Sequence, residues 1–521
     1  MRTTGGFPAV AMVIALGLCV GAQANVIVVD QNHAKADDDN PGTAEAPLKT
    51  IGKAVPMAKA GDTVLVKAGR YAETVSITTS GEDGNPIVVQ GAPGEQAIVL
   101  GGMDMLKTSH IRVDGLTFTS SGAMKGRKTF VVVRENRHCE IANVEIYEKA
   151  ENHDWVYRGI DIYSSEQFTF RDSRIHHVDI GVNLGADRNC VMDGLEIGPW
   201  DHEDGMRMMR CDGILVQNCH IQSEEVYRPG ATHKRRGHID GIQIIRKNDN
   251  ITVRNCTIHD TAQGIGVFTD SFGRVEGWNE PRKNLRIEGN LILTNNRWQG
   301  ISMYRVENPV VVNNTVPISR IEIGNATGNR GVVKNNIAAI GSVSRNIADV
   351  DYNIWIEEVK GGTRVGPHDL AKVSPGFVNA PAFDEASNYK RVAEYTERKI
   401  IMGDLPAGKV AVGDYVEVNR DGVLRKVTAV EDEAFEFDPP LEAKPQGAVR
   451  VANWKTGTTD FKRDYHLKAG SPAIDSADSS VNRGKDRNGS EAIDVPSVEN
   501  KGAGPKPFLD RGALEYVPAS K

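Results

Sequence analysis

Seven short segments of this chain share one pattern, in which two aliphatic residues flank a single variable residue. They are Gly159–Ile162, Asp179–Val182, Gly205–Met208, Gly241–Ile244, Gly264–Val267, Gly300–Met303 and Arg320–Ile323. The first aliphatic residue stands at positions 160, 180, 206, 242, 265, 301 and 321, so the pattern recurs every 20 to 36 residues. A repeat of this length with two longer inserts is typical of a solenoid, in which every repeat forms one coil.

A second set of positions runs in phase with the first and predicts the corners of the coils. Each is a turn former that stands three residues before an aliphatic residue: Asn143, Asp172, Gly194, Asn218, Asn255, Gly289 and Asn313. Asn, Asp and Gly tolerate a left-handed backbone, so they mark corners between strands. No repeat has a stretch with helical periodicity, and each is therefore predicted to consist of short strands. Successive coils would stack about 4.8 Å apart, with the aliphatic side chains inside and the variable one outside.

Further motifs lie at the two ends of the repeat region. The opening stretch includes Asp38–Thr43 and Gly69–Tyr71, and the closing stretch includes Tyr465–Asp475 and Asp510–Glu515. With these motifs the chain resembles the right-handed parallel β-helix proteins of the pectate-lyase-like superfamily. The resemblance implies an all-β fold, a right-handed parallel β-helix solenoid, which is known to host lyases, hydrolases, epimerases and phage adhesins.

The repeat pattern stops near residue 391 and gives way to short alternating stretches such as Asp414–Val418 and Ala434–Phe437. These stretches predict a small antiparallel β insert near the C-terminus. We therefore expect four parts: a signal peptide at 1–24, the parallel β-helix at 25–390, the inserted β module at 391–455, and the last coil with the C-terminal segment at 456–521.

The N-terminus and the composition indicate a secreted or periplasmic protein. An apolar run from Ala9 to Ala22 ends in the small-residue site Ala22–Ala24, a combination typical of a secretory signal peptide. The chain has 521 residues, 40% of them hydrophobic, and a net charge of −7, which indicates a soluble globular protein. We expect a monomer that binds polysaccharide, does not bind nucleic acid and does not insert into a membrane after cleavage.

The cysteine and histidine residues give no metal motif. Five cysteines remain after cleavage at residue 24, an odd number that excludes a full disulfide framework. Cys219 and Cys256 share one position on successive coils and are interpreted as inward-facing apolar residues. Neither Cys-x-x-Cys nor His-Glu-x-x-His occurs, so no zinc site or other cofactor is supported. A Ca2+ ion is compatible with such a fold, but no motif indicates one.

Polar residues occupy three rows that alternation predicts to face outward. The first row precedes the strands at Arg158, Val178, Asp204, Asp240, Gln263 and Gln299. The second lies in mid-strand at Asp161, Gly181, Arg207, Gln243, Gly266, Ser302 and Glu322. The third follows the strands at Ser164, Leu184, Arg210, Arg246, Thr269, Arg305 and Asn325. Charge is concentrated in the middle coils, and the small residues Gly266 and Ser302 are expected to leave room for a glycan beside it.

The two long inserts fall beside these coils and carry basic residues, which predicts loop walls over a charged floor. β-Elimination from a uronate needs cations for the carboxylate, a base for the C5 proton and a proton donor for the leaving oxygen. We therefore predict a polysaccharide lyase acting on an anionic, uronate-containing glycan. The predicted catalytic residues are Asp204, Asp240, His238, Arg246 and Lys234. The predicted substrate-binding residues are Asp161, Asp179, His202, Arg207, Arg210, His233, Arg235, Gln243, Lys247, Tyr304 and Arg305.

Two alternatives stay open. The first is a glycoside hydrolase that uses two of Asp161, Asp179, Asp204 and Asp240. Adjacent coils would hold Asp204 and Asp240 about 5 Å apart, which suits a retaining pair, and skipping one coil would give about 10 Å, which approaches an inverting pair. The same surface also fits a non-catalytic glycan-binding protein. The run Ile239–Ile244 resembles the active-site run of polygalacturonases, of which only Asp240 matches. Asp240 and Arg246 fall near the acid and lysine positions of chondroitinase-B-like and alginate lyases.

Overall fold

The computed structural model consists almost entirely of β-strands that wind into successive coils. A 13-stranded parallel sheet forms one side of the coils, and a 22-stranded network forms the other sides. The structure describes residues 24–120, 124, 127–148, 158–200, 203–223, 240–268, 280–294, 299–380, 392–402, 410–418, 423–442, 451–453, 464–481 and 484–518.

Three ladders of parallel strands run along the solenoid, and we call them sheets 1, 2 and 3. Sheet 1 contains Val26–Val29, Thr63–Val66, Ile87–Gly91, Ile111–Asp114, Glu140–Ala142, Thr169–Arg171, Val191–Asp193, Leu215–Gln217, Thr252–Arg254, Arg286–Glu288, Val310–Val312, Val332–Lys334 and Asp349–Asp351. Sheet 2 contains Gly69–Tyr71, Ala97–Val99, Leu116–Thr119, Glu145–Tyr147, Arg174–His176, Glu196–Ile197, His220–Gln222, Thr257–His259, Leu291–Leu293 and Leu370–Ala371. Sheet 3 contains Val75–Ile77, Met103–Leu106, Thr129–Arg134, Arg158–Tyr163, Ile180–Gly185, Met206–Met209, Asp240–Ile245, Gln263–Val267 and Ile301–Tyr304. Three longer strands run from sheet 2 into sheet 3 and join them: Thr315–Gly324, Ile337–Val343 and Ile354–Val359.

The coils turn their corners at residues with a left-handed backbone. All seven corner residues predicted from the sequence have positive φ, from 49° at Asp172 to 64° at Gly289. Two further rows of positive φ mark the remaining corners. One includes His138, Gln167, Asn189 and Asn250, and the other includes Ser164, Ala186, Arg210, Arg246 and Arg305. The prediction of short strands separated by corners is therefore confirmed.

One coil has a different register from the one that the repeat predicts. Val182, and not Ile180, pairs with Ile160, so the coil steps from 160 to 182 and from 182 to 206 are 22 and 24 residues instead of 20 and 26. The three outward rows change accordingly: Ile180 replaces Val178, Asn183 replaces Gly181, and Ala186 replaces Leu184. A two-residue slip keeps the same alternation of inward and outward side chains, so hydrophobicity alone cannot detect it.

The interior of the solenoid is filled by stacked apolar side chains. Ile160, Val182, Ile242 and their equivalents in the other coils belong to one continuous buried cluster. All five cysteines after the N-terminal segment are free and buried, and Cys219 and Cys256 lie in this cluster as predicted. Stability therefore comes mainly from apolar contacts between neighbouring coils.

A ladder of buried asparagines supports one row of corners. The backbone N–H of Asn290 donates to Asn314 Oδ1 at 3.0 Å, and that of Asn314 donates to Asn336 Oδ1 at 3.0 Å. The series continues from Asn336 to Asn353 Oδ1 at 3.1 Å. Each side chain thus satisfies a backbone group that the turn leaves without a partner in the sheets.

The C-terminal third differs from the coils. A six-stranded antiparallel sheet is formed by Val392–Tyr395, Lys399–Met402, Tyr415–Val418, Arg425–Glu431, Ala434–Asp438 and Val451–Asn453. This sheet confirms the small antiparallel β insert, while the domain boundaries stay predictions. Asp464–Leu467 pairs antiparallel with Phe377–Asn379, so this strand does not continue the parallel ladders. Further short elements are a parallel pair, Arg282–Lys283 with Val306–Glu307, an α-helix at Ile51–Ala54 and 3-10 turns at Val55–Met57 and Ser479–Val481.

Candidate functional site

A row of outward residues on sheet 3 brings three of the predicted site residues together, Asp161, Arg207 and Gln243, and we call it the polar strip. Strand pairing places these residues directly beside one another, in the order Asp161, Asn183, Arg207, Gln243, Gly266, Ser302 and Glu322. The polar strip is therefore a continuous line of mostly polar groups with a spacing of one coil, about 4.8 Å.

A column of glycines runs beside the polar strip. A Cβ atom on Gly181 would lie 2.5 Å from the carbonyl oxygen of Gly205, and one on Gly205 would lie 2.8 Å from that of Gly241. Gly264 is under the same restriction at 2.3 Å from Gly300 O. The coils approach so closely here that only glycine fits at this point of the strand.

Two aspartates that precede glycines of this column bond to the polar strip residue three positions later. Asp204 accepts a hydrogen bond from Arg207 Nε at 2.7 Å, and Asp240 Oδ2 accepts one from Gln243 Nε2 at 3.0 Å. The backbone N–H of Asp240 lies 3.4 Å from Asp204 Oδ1, so the two carboxyl groups occupy neighbouring coils as predicted. The two aspartates are therefore parts of a hydrogen-bonded floor.

Burial separates the two aspartates of this floor from Arg207, which was predicted to bind substrate. Asp204 and Asp240 are fully buried. The Arg207 side chain is 18% exposed and forms ion pairs with both Glu203 and Asp204. Burial lowers the pKa of Arg207, but these two carboxylates outweigh that effect and leave the pKa above its ordinary value. Arg207 is therefore a fixed cation and cannot serve as a base.

Asp161 marks the lower end of the polar strip and is held by several donors. Its carboxylate accepts hydrogen bonds from Thr129 Oγ1 at 2.8 Å and Asn183 Nδ2 at 3.0 Å. Arg158 Nη1 lies 3.5 Å from Asp161 Oδ2. The carboxylate remains 23% exposed, so it can still accept a bond from a ligand.

Three arginines follow the strands of sheet 3 at one row of corners, and we call them the basic edge. Arg210, Arg246 and Arg305 all have a left-handed backbone, with φ of 60°, 61° and 55°. Arg210 and Arg305 are exposed and Arg246 is half-buried. Within the part of the chain that the structure describes, none of the three side chains forms an ion pair, and Arg246 Nε is buried without a hydrogen-bond partner. Exposed Lys247 adds a fourth cation at this edge.

The upper end of the polar strip is more closed than the sequence suggests. A Cβ on Gly266 would lie 2.0 Å from the ring of Phe268, so this ring occupies the space that the glycine was expected to leave. The expectation of an open floor at Gly266 is therefore wrong. Tyr304 packs over Gly324 and bonds to Glu322, and burial together with that carboxylate raises the pKa of Tyr304.

Six further predicted site residues lie outside the described residues or away from the polar strip. His202, His233, Lys234, Arg235 and His238 lie outside the described residues. Asp179 is half-buried at the turn into sheet 3, before the polar strip. Among the residues from 24 to 518 that the structure describes, no group of three or more potential ligands is arranged to hold a metal ion.

The structure adds residues that the sequence analysis did not assign. Asn183 joins the polar strip through the corrected register, and Glu203 joins the Asp204–Arg207 pair. Tyr163 lies on the outer face of sheet 3, two residues after Asp161, and is 43% exposed. Its ring covers the next coil, because a Cβ on Gly185 would lie 2.5 Å from Tyr163 Cδ2. An aromatic residue two positions after an outward residue is the signal that could have found it.

Comparison with known proteins supports the architecture. The family model described as right handed beta helix region matches two overlapping segments, residues 101–271 and 158–338. The chain is a right-handed parallel β-helix. This confirms the fold that the resemblance to pectate-lyase-like proteins implied. No helix among the described residues has the length and apolar character needed to cross a membrane.

Two curated relatives match over short segments. A segment of 64 residues is 39% identical to the uncharacterized protein YwoF of Bacillus subtilis (strain 168), covering 12% of this chain and 14% of that protein. A segment of 66 residues is 41% identical to pectate lyase PEL9 of Emericella nidulans, covering 12% of this chain and 16% of that protein. The matches thus span only about one sixth or less of the length of these relatives.

Two solved structures illustrate the structural similarity. Pectate lyase Pel9A is 12% identical, with 95% of this chain and 97% of that chain covered and a TM-score of 0.40. An alginate lyase from Paenibacillus sp. str. FPU-7 is 16% identical, with 67% of this chain and 99% of that chain covered and a TM-score of 0.38.

Proposed function

We propose that this protein is a secreted or periplasmic polysaccharide lyase that cleaves an anionic, uronate-containing glycan by β-elimination. The observation that carries the proposal is the basic edge. Arg210, Arg246 and Arg305 stand in one row beside the polar strip and, in the described part of the chain, have no carboxylate partners. A row of cations one or two coils apart suits a polymer with repeated carboxylates.

The reaction distributes roles between the basic edge and the insert at 224–239. Arg246 and its neighbours would neutralise the substrate carboxylate, which acidifies the adjacent C5 proton. A base removes that proton, the C4–O bond breaks, a C4–C5 double bond forms, and the leaving oxygen takes up a proton. Because Arg207 stays charged, we assign the base to the insert, where His238 and Lys234 are the candidates. Asp204 and Asp240 would orient the floor through Arg207 and Gln243.

A glycoside hydrolase based on Asp204 and Asp240 is the weaker alternative. Both carboxyl groups are fully buried, and Asp204 is held by a guanidinium. A general acid must present its proton to the leaving oxygen, and the ion pair favours the deprotonated form instead. The short similarity to a pectate lyase of Emericella nidulans agrees with the lyase assignment.

Incubation with polygalacturonate and with alginate tests the proposal. We expect rising ultraviolet absorbance from the unsaturated product. New reducing ends without this absorbance would favour the hydrolase, and neither signal would favour a glycan-binding protein.

The Arg246→Ala variant tests the role of the basic edge. We expect its kcat/KM to fall at least about tenfold, since a charge-assisted hydrogen bond contributes about 1.5–3 kcal/mol. Arg188→Ala is the matched control, because Arg188 is an exposed arginine that lies on the turn before sheet 1, outside the basic edge. Equal effects of the two substitutions would contradict the assignment.

A further inference from the structure

A further exposed cation, Arg134, lies on sheet 3 below the polar strip. Strand pairing places Leu106 and Tyr163 directly beside Arg134, on the coils before and after it. Arg134 is exposed, and among the described residues its side chain forms no ion pair or hydrogen bond. Leu106 is 37% exposed and Tyr163 is 43% exposed, so an unpaired cation stands between two accessible apolar side chains. We call these three residues the distal patch.

The other cations next to the distal patch already have carboxylate partners. The pairs are Arg127 Nη2 with Asp104 Oδ1 at 2.7 Å, Lys107 Nζ with Glu135 Oε2 at 3.9 Å and Arg158 Nη1 with Asp161 Oδ2 at 3.5 Å. These pairs add no net charge, so the charge left over at the distal patch is the positive charge of Arg134. A carboxylate bound there would gain a partner without breaking an existing ion pair.

The Tyr163 ring supplies an apolar surface beside this cation. Its Cδ2–Cε2 edge occupies the place of a side chain on Gly185, because a Cβ there would lie 2.5 Å from Tyr163 Cδ2. The glycine of the next coil thus makes room for the ring, while the exposed part of the ring stays within reach of a ligand. One side of a sugar ring carries mainly C–H groups, which pack on an aromatic ring while the hydroxyl groups face water.

The column of outward residues that contains Arg134 leads from the distal patch to the basic edge. Its next members after Tyr163 are uncharged: Gly185, Met209 and Ile245. Ile245 directly precedes Arg246 in the chain. Arg134 and Arg246 therefore belong to coils four strand spacings apart, about 19 Å along the axis. A hexasaccharide along the axis is long enough to contact both arginines, and a trisaccharide is too short.

We infer that the distal patch is a second subsite for a uronate residue of the same polymer. Arg134 pairs with the carboxylate of this residue, and Tyr163 and Leu106 pack against its C–H groups. The inference rests on the proposed function and refines it: anionic subsites four coils apart favour a long polyuronate segment over short oligosaccharides.

Substrate length tests this inference. The substrates are a trisaccharide and a hexasaccharide prepared from the uronate polymer that the protein cleaves. Arg134→Ala and Tyr163→Ala should each lower kcat/KM for the hexasaccharide about fivefold and leave kcat/KM for the trisaccharide within about twofold. Tyr163→Phe should lose less than Tyr163→Ala, because it keeps the ring. Arg137→Ala is the matched control, since Arg137 is an exposed arginine of the same coil that pairs with Glu166 at the next corner.

Binding separates the failure of this inference from the failure of the proposed function. If no uronate polymer yields an unsaturated product, the proposed function is refuted, and titration calorimetry of the full chain with a polygalacturonate hexasaccharide replaces the kinetics. Arg134→Ala should then weaken binding about fivefold, and it should not change the affinity for the same hexasaccharide with reduced, uncharged carboxyl groups. Equal losses for the trisaccharide and the hexasaccharide, equal effects of Arg134→Ala and Arg137→Ala, or neither turnover nor binding of the hexasaccharide would overturn the subsite.

Discussion

Replacing Asp187 with asparagine should remove a pH-dependent weakness from the interior of the solenoid. Asp187 is fully buried, and its carboxyl oxygens accept hydrogen bonds from Ser165 N at 2.7 Å and Gly185 N at 2.8 Å. Burial raises the pKa of Asp187 from its ordinary 3.8 to about 7, although the two N–H groups act in the opposite direction. The folded state therefore holds a proton that the unfolded chain has already released.

The sign of the effect follows from this raised pKa. The stabilising contribution is complete below the pKa of the unfolded chain and is lost as the pH rises through about 7. A shift from 3.8 to about 7 corresponds to about 4 kcal/mol in the free energy of unfolding. Asn136 and Asn248 accept backbone hydrogen bonds at the equivalent corners of other coils, so an amide fits this position.

Urea unfolding of the protein and of Asp187→Asn between pH 4 and pH 8 measures this contribution. At pH 8 the variant should be more stable by about 2 kcal/mol, because losing one acceptor offsets part of the gain. Between pH 4 and pH 8 the difference between the two proteins should change by about 4 kcal/mol. Amide hydrogen exchange at Ser165 and Gly185 should show the same trend. A difference that stays constant across this pH range would refute the reasoning.

Two further substitutions test the packing of the coils. Gly181→Ala should lower the free energy of unfolding by about 3 kcal/mol, because its Cβ would lie 2.5 Å from a carbonyl oxygen of the next coil. Gly361→Ala should leave the thermal midpoint unchanged, because its Cβ would have no atom of the described residues within 4 Å apart from those of its chain neighbours. Asn314→Ala should lower the free energy of unfolding in urea by about 3 kcal/mol, because the buried N–H donors of Asn290 lose their acceptor. Asn346→Ala, at a more exposed site, should lower it by less than about 1 kcal/mol. Equal midpoints within either pair would contradict the corresponding contact.

The corners of the coils could be predicted because their chemistry is local. Asn143 and Asn218 adopt the left-handed backbone that their side chains favour, with φ of 53° and 56°. Arg210 and Arg246 adopt almost the same backbone, although arginine has no such preference. The turn that closes each coil imposes this backbone on Arg210 and Arg246, so the residue type does not predict it.

The register of coil 182 shows where alternation stops being informative. Ile180, Val182 and Leu184 alternate with other residues. Two registers, with either Ile180 or Val182 beside Ile160, therefore place aliphatic side chains inside equally well. Only the glycine column distinguishes the two registers, because Gly181 has to align with Gly159 and Gly205 for the coils to approach each other closely. Aligning the repeat on glycine would have placed Asn183 in the polar strip.

The charges of the candidate site could be predicted as a group, but their partners could not. Arg207 is neutralised by Glu203 and Asp204 from its own coil, whereas Arg246 has Arg210 as its neighbour in the row. Two like charges about 5 Å apart repel by about 0.8 kcal/mol in water, and the repulsion grows where the site is less hydrated. A carboxylate bound between them would convert this repulsion into attraction. For that reason we expect a uronate to bind to Arg210 and Arg246 rather than to Arg207, which already forms ion pairs with Glu203 and Asp204.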